Sequence, residues 1–141
     1  MSKPRPLIAG NWKMNGWQAD GLALTEAICA GAGDLEAELL LCPPATLIAL
    51  VGEKIKGSGI ALGGQDCHWA PSGAYTGDIA APMLADLGCR YVILGHSERR
   101  HGSPRPGPDR RPAARSSSSC RRSAASACSS LRSLARIAAA A

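Results

Sequence analysis

At 141 residues the chain is long enough for one domain, and its formal net charge of +5 is an average over two unlike parts. Residues 1–101 carry 8 Lys/Arg against 10 Asp/Glu, while residues 102–141 carry 8 Arg against one acid, Asp109, so the basic balance gives no warrant for a nucleic-acid partner. No apolar stretch approaches the roughly 20 residues of a membrane span, and six cysteines without a Cys-x-x-Cys pair argue against a zinc site.

The apolar run Leu7–Gly10 predicts a first strand, closing on the cluster Asn11-Trp12-Lys13-Met14-Asn15. Asn15 is a candidate N-cap for a helix with Trp17, Leu24 and Ile28 on its apolar face, stopped by Gly31 and Gly33. Leu39–Cys42 predicts a second strand. Pro43-Pro44 closes it and suits the first turn of a helix that places Ile48, Val51 and Ile55 on one face. Gly57-Ser58-Gly59 breaks that helix, and Ile60–Gly63 predicts the third strand. A loop too long for a simple strand-to-helix connection runs from Asp66 to Gly77. Asp78 is then a candidate cap for a helix with Ile79, Met83 and Leu87 inward and Gly88 at its end. Pro82 falls in the first turn, where it is tolerated. Tyr91–Leu94 predicts a fourth strand, which delivers Gly95-His96-Ser97-Glu98-Arg99-Arg100 to its rim.

Four strands and three helices in strict alternation predict an α/β fold with a parallel sheet and right-handed crossovers. The strands are near-continuous apolar runs, as expected when both faces of a sheet are covered. Pattern alone does not separate a doubly wound sheet from part of a barrel. The first and fourth strands share one plan: each ends in polar groups able to converge on a small anion.

Residues 102–141 read differently, since 32 of the 40 are Ser, Ala, Arg or Pro and the only large aliphatics are Leu131, Leu134 and Ile137. Such a segment cannot bury enough apolar area to offset its chain entropy, so a disordered tail is the plain expectation. These four residue types are also what GC-rich DNA yields in a wrong frame. Arg105-Pro106-Gly107-Pro108, read one base later, permits Ala-Leu-Val-Arg, a helical run. Out-of-frame translation of this tail is the sharper expectation. The stretch from Arg115 to Arg122 lacks interleaved aromatics and regular Arg-Ser repeats, so it is a weak nucleic-acid signal.

Four of the cysteines lie in or beside apolar segments, where a thiol behaves as a small hydrophobe. Reduced, structural cysteines in a cytoplasmic chain are expected. Met1–Pro6 lacks the apolar core of a signal peptide.

Four motifs in order resemble the triosephosphate isomerase family: Asn11-Trp12-Lys13-Met14-Asn15, Gly64-Gln65-Asp66, Gly73-Ala74-Tyr75-Thr76-Gly77-Asp78 and Gly95-His96-Ser97-Glu98-Arg99-Arg100. The resemblance covers about residues 1–101 and stops after His101-Gly102. It implies the N-terminal half of a (β/α)8 barrel, a fold that typically needs roughly 250 residues and carries its active sites at the carboxyl ends of the strands.

By that resemblance the reaction interconverts a phosphorylated three-carbon ketose and aldose without a cofactor or metal. Lys13 pairs with the substrate phosphate and the developing oxyanion, and Asn11 binds a substrate oxygen. His96 is the electrophile, and this family is itself the standard example of a histidine kept neutral by a helix N-terminus. Glu98 pairs with Lys13, Ser97 contacts the general base, and Arg99 and Arg100 are structural ion-pair partners. The Cys67–Gly77 loop inserts into a second subunit of a homodimer, where Thr76 approaches the partner's Asn11 and Lys13. Gln65 and Tyr75 are grouped with that loop, Gln65 also being a candidate for the network near the site. The family's base glutamate and its phosphate-binding glycine loops belong to later strands that this sequence does not spell out. The expectation is therefore a chain without useful isomerase activity.

Overall fold

A computed structural model describes residues 5–33, 35–100 and 135–138. Five strands form one all-parallel sheet in chain order: β1 (Leu7–Asn11), β2 (Glu38–Cys42), β3 (Ala61–Gly64), β4 (Tyr91–Leu94) and β5 (Ala135–Ala138). Between the first four lie the helices α1 (Gln18–Gly31), α2 (Ile48–Lys54), entered through a 3₁₀ turn at Ala45–Leu47, and α3 (Ala81–Asp86). A short helix α4 (Ser97–Arg100) follows β4. Strands β1–β4 with their helices make half of a barrel.

Strands β2–β4 have two buried faces, and their residues alternate between them as the pleat requires. Leu41, Leu62 and Val92 pack against Leu47, Ile48, Val51, Ile55 and Leu84 in the layer between sheet and helices. Leu40, Cys42, Ala61 and Ile93 form a second cluster on the inner face, with Tyr91 against it. Gly63 belongs to that inner face, because a Cβ there would sit 2.8 Å from Cys42 Sγ. The predicted α2 face of Ile48, Val51 and Ile55 is buried, and Gly57 and Gly59 leave the helix with φ of 80° and 77°.

Two predicted helix faces are corrected in part. Helix α1 begins at Gln18 rather than after Asn15. The Asn15 amide donates back to the Trp12 carbonyl, and Gly16 turns the chain through a φ of 103° before the helix can start. Its buried residues are Gly21 and Thr25; of the predicted face Ile28 packs against the core, while Trp17 and Leu24 are exposed. The helix approaches through its smallest residue: a Cβ on Gly21 would lie 2.9 Å from Leu47 Cδ1 and 3.2 Å from Trp12 Cζ3. Asp78 likewise does not cap α3. The His68 N–H donates to the Ile79 carbonyl at 2.7 Å, pairing His68 with Ala80, and this holds the backbone extended until Ala81. Leu84 is the buried residue of α3; of the predicted face Ile79 packs against the core, while Met83 and Leu87 are exposed. Gly88 ends this segment with a φ of 85°.

The third strand is displaced by one residue from its predicted span, and the fourth matches. Strand β5 pairs with β4 along all four residues, from Tyr91↔Ala135 to Leu94↔Ala138. The backbone N–H and C=O groups of a strand edge are satisfied by any extended segment. Strand β1 remains at the sheet edge, with Leu7 and Ile8 38% and 55% exposed. The rest of the tail expectation lies outside the described residues. Among the described residues no helix is long and apolar enough to cross a membrane.

Candidate active site

The carboxyl ends of β1, β3 and β4 bring Asn11, Lys13, Gln65, His96 and Glu98 into one hydrogen-bonded group. The register Asn11↔Cys42 sets the end of β1 beside that of β2, and Trp12 N–H donates to the Cys42 carbonyl at 3.1 Å. Lys13 then takes a φ of 55°, the only positive φ of a non-glycine residue among those described. Its N–H donates to Asn11 Oδ1 at 2.9 Å. Its ammonium lies 2.6 Å from Glu98 Oε1, with both side chains about half exposed. That hydrogen bond, with the Lys13 charge behind it, holds the Glu98 carboxyl below its ordinary value.

His96 follows Gly95, whose φ of 65° turns the chain off β4. Its Nδ1 accepts a hydrogen bond from the Glu98 N–H at 3.2 Å, and Arg99 N–H donates to the His96 carbonyl at 2.9 Å. An imidazole that accepts at Nδ1 carries its proton at Nε2, so the ring presents an N–H donor away from the backbone. Nδ1 is also 3.5 Å from Glu98 Oε2.

Arg99 pairs with Asp66 at 2.6 Å, tying the turn after β4 to the end of β3. Burial raises the Asp66 carboxyl above its ordinary value, and the Arg99 charge opposes that shift without cancelling it. Arg100 lies in α4, and its side chain is outside the description.

Gln65 is drawn into the site: its Nε2 donates to the Lys13 carbonyl at 2.8 Å and the Cys42 carbonyl at 2.9 Å. Tyr75 and Thr76 lie in the loop after β3. The Tyr75 ring sits 4.0 Å from the His68 ring and 6.1 Å from Trp69, so the loop packs on its own aromatics. Thr76 is exposed. Among the described residues no three of His, Cys, Asp or Glu gather as metal ligands.

A parallel β/α half-barrel with an ammonium, an imidazole and a carboxylate at the carboxyl ends of its strands belongs to the (β/α)8-barrel class, whose active sites occupy that rim. The family model of triosephosphate isomerase matches residues 6–104. A triosephosphate isomerase of Afipia carboxidovorans is 60% identical over 104 residues, covering 71% of this chain and 41% of its own. One from Herpetosiphon aurantiacus is 53% identical over 97 residues, covering 68% and 39%. The crystal structure of triosephosphate isomerase from Bartonella henselae superposes with a TM-score of 0.65 at 50% identity, over 69% of this chain and 40% of that one. The chain belongs to the triosephosphate isomerase family and spans about 40% of the length of the relatives it matches.

Proposed function

We propose that residues 1–101 carry the electrophilic half of a triosephosphate isomerase site, which interconverts dihydroxyacetone phosphate and glyceraldehyde 3-phosphate through an enediolate. The observation that carries this reading is the Lys13–Glu98 pair beside a histidine whose Nδ1 is occupied by the Glu98 N–H. The Nε2–H of His96 donates to the substrate oxygen on which negative charge develops. Lys13 adds a positive charge toward the same oxygen and the phosphate. Asn11 Oδ1 is engaged by the Lys13 N–H, so its amide nitrogen is the group that donates to substrate. Donors of this kind typically contribute ~10²- to 10³-fold to rate.

The carbon acid also needs a base, typically a further ~10²- to 10⁴-fold. After Glu98 the sequence holds one acidic side chain, Asp109, among prolines and arginines. The 141-residue polypeptide by itself therefore has no useful turnover, and residues 102–141 are an out-of-frame continuation. The intact family member is a cytoplasmic homodimer whose Cys67–Gly77 loop reaches a second subunit.

The test is a chimera of residues 1–101 followed by the second half of the Afipia carboxidovorans relative. It should turn over, and Lys13→Met or His96→Gln should reduce kcat/KM at least ~10²-fold. A folded chimera without turnover sinks the isomerase reading, and robust turnover by the homogeneous 141-residue chain sinks the proposed inactivity. Resequencing the coding DNA from Glu98 onward decides the frame.

A second reading is a non-catalytic remnant that self-associates. It is favoured by the β1 edge with its exposed Leu7 and Ile8. Sedimentation separates the two: a monomer with a sharp thermal transition contradicts the remnant.

A further inference from the structure

We propose that Gln65 is a positioning residue for Lys13: its carboxamide, fixed at the end of β3, holds the left-handed backbone from which the Lys13 ammonium is presented. The catalytic meaning of this rests on the reading of Lys13 given above, but its structural content does not.

An L-residue with a Cβ is disfavoured at positive φ, so its surroundings must impose the φ of 55° at Lys13. Three neighbours hold the residue. Asn11 takes its N–H, yet Asn11 is only two positions away and moves with the same turn. Glu98 takes the ammonium, at the far end of a flexible four-carbon stem. Gln65 takes the carbonyl and alone ties this backbone to another strand, across 52 residues of chain.

The same nitrogen also donates to the Cys42 carbonyl, which receives the Trp12 N–H as well. One primary amide has two N–H donors, and here each meets a carbonyl. The ends of β1, β2 and β3 are thereby locked through a single side chain. A glutamate at 65 has the length but no donor when ionised, and an asparagine has the donors but one methylene less. Gln65 thus acts on Lys13 from within the subunit, separately from the loop with which its sequence position groups it.

The experiment is NMR on the full 141-residue chain, with readouts that need no turnover. In the unmutated protein both side-chain amide protons of Gln65 should exchange with solvent far more slowly than those of Gln18, the only other glutamine and an exposed one. Exchange as fast as Gln18 overturns the proposal without any variant having to fold.

The second arm follows the titration of Glu98. Lys13→Met should raise its midpoint toward the ordinary glutamate value, Gln65→Met should do much the same, and the double variant should add little to either. His96, the other ionisable group at Glu98, is intact in all of them. A Gln65→Met midpoint equal to wild type overturns the proposal. So does one that shifts Asp66, the neighbouring carboxylate paired with Arg99, as far as Glu98, because that reports general loosening. If these readouts hold while the chimera fails to turn over, the isomerase reading falls and the positioning role stands.

Discussion

The Tyr91 hydroxyl donates to Glu38 Oε1 at 2.8 Å, joining β4 to β2 across the intervening strand. The reach is open because β3 presents only Ala61 and Gly63 on that inner face. Arg90 completes the group, its guanidinium 3.8 Å from the same oxygen and 5.9 Å over the Tyr91 ring. The polar group at the carboxyl ends of the strands is thus matched by a polar brace inside the half-barrel.

That brace has a measurable signature. Tyr91→Phe should lower stability by about 1–2 kcal/mol at pH 7, the loss of one part-buried hydrogen bond to a charged acceptor. The bond to Glu38 raises the phenol above its ordinary value of 10.0. A raised pKa means stability that is full below the unfolded value and lost as pH rises through the folded one. Urea unfolding between pH 8 and 11 should therefore show a shallower alkaline decline in Tyr91→Phe than in wild type, and parallel declines would remove Glu38 as the cause.

Glu98 works at the opposite limb. Its carboxyl is lowered, first by the Lys13 hydrogen bond, so its contribution is present above the unfolded value of 4.5 and lost as pH falls through the folded one. Glu98→Gln should remove that part of the acid loss. Asp66 has the reverse sign, because burial raises it. Arg99→Met should raise the Asp66 midpoint further. An unmoved Asp66 in a carboxylate titration would show that the 2.6 Å pair is not formed in solution.

Burial pushes the Cys42 thiol up to about 12 and Cys89 to about 11, against an ordinary 9.0. At pH 8 Cys42 then holds roughly 10³-fold less thiolate than an ordinary cysteine. Iodoacetamide should spare both thiols in the native chain and label both in urea. Cys42 lies on the inner face at 0% exposure. Native labelling of Cys42 at the unfolded rate would mean that this face opens to solvent.

The strands were legible because a sheet covered on both faces needs unbroken apolar runs, and Leu39–Cys42 and Tyr91–Leu94 are such runs. The helix faces of α1 and α3 were legible only in part, at Ile28 and Ile79. Hydrophobicity marked Trp17, Leu24, Met83 and Leu87, whereas contact is made where the side chains are small enough for close approach, at Gly21 and Thr25, or where a pocket of glycine is offered, as Gly64 does for Leu84. Asn11, Lys13, His96 and Glu98 could be read as one group because the family motifs set them at the ends of the first and fourth strands. The use of Gln65 could not, since it depends on a left-handed backbone at Lys13 that no residue period announces. Nor does the composition of residues 102–141 announce the pairing of Ala135–Ala138 with β4.

The corrected α3 face can be tested by adjacent substitutions. Leu84 is 1% exposed and seated over Gly64, where a Cβ would come within 2.7 Å of Leu84 Cδ1. Leu84→Ala should cost about 2–5 kcal/mol in urea unfolding, and Met83→Ala, 55% exposed, about 0.5 kcal/mol or less. Gly64→Ala should by itself cost about 1–3 kcal/mol by overpacking. The two sites share one space, so Gly64→Ala should be far less harmful in the Leu84→Ala background, a coupling that additive costs would refute. Equal losses at positions 83 and 84 would return the helix to the face that its hydrophobicity suggests.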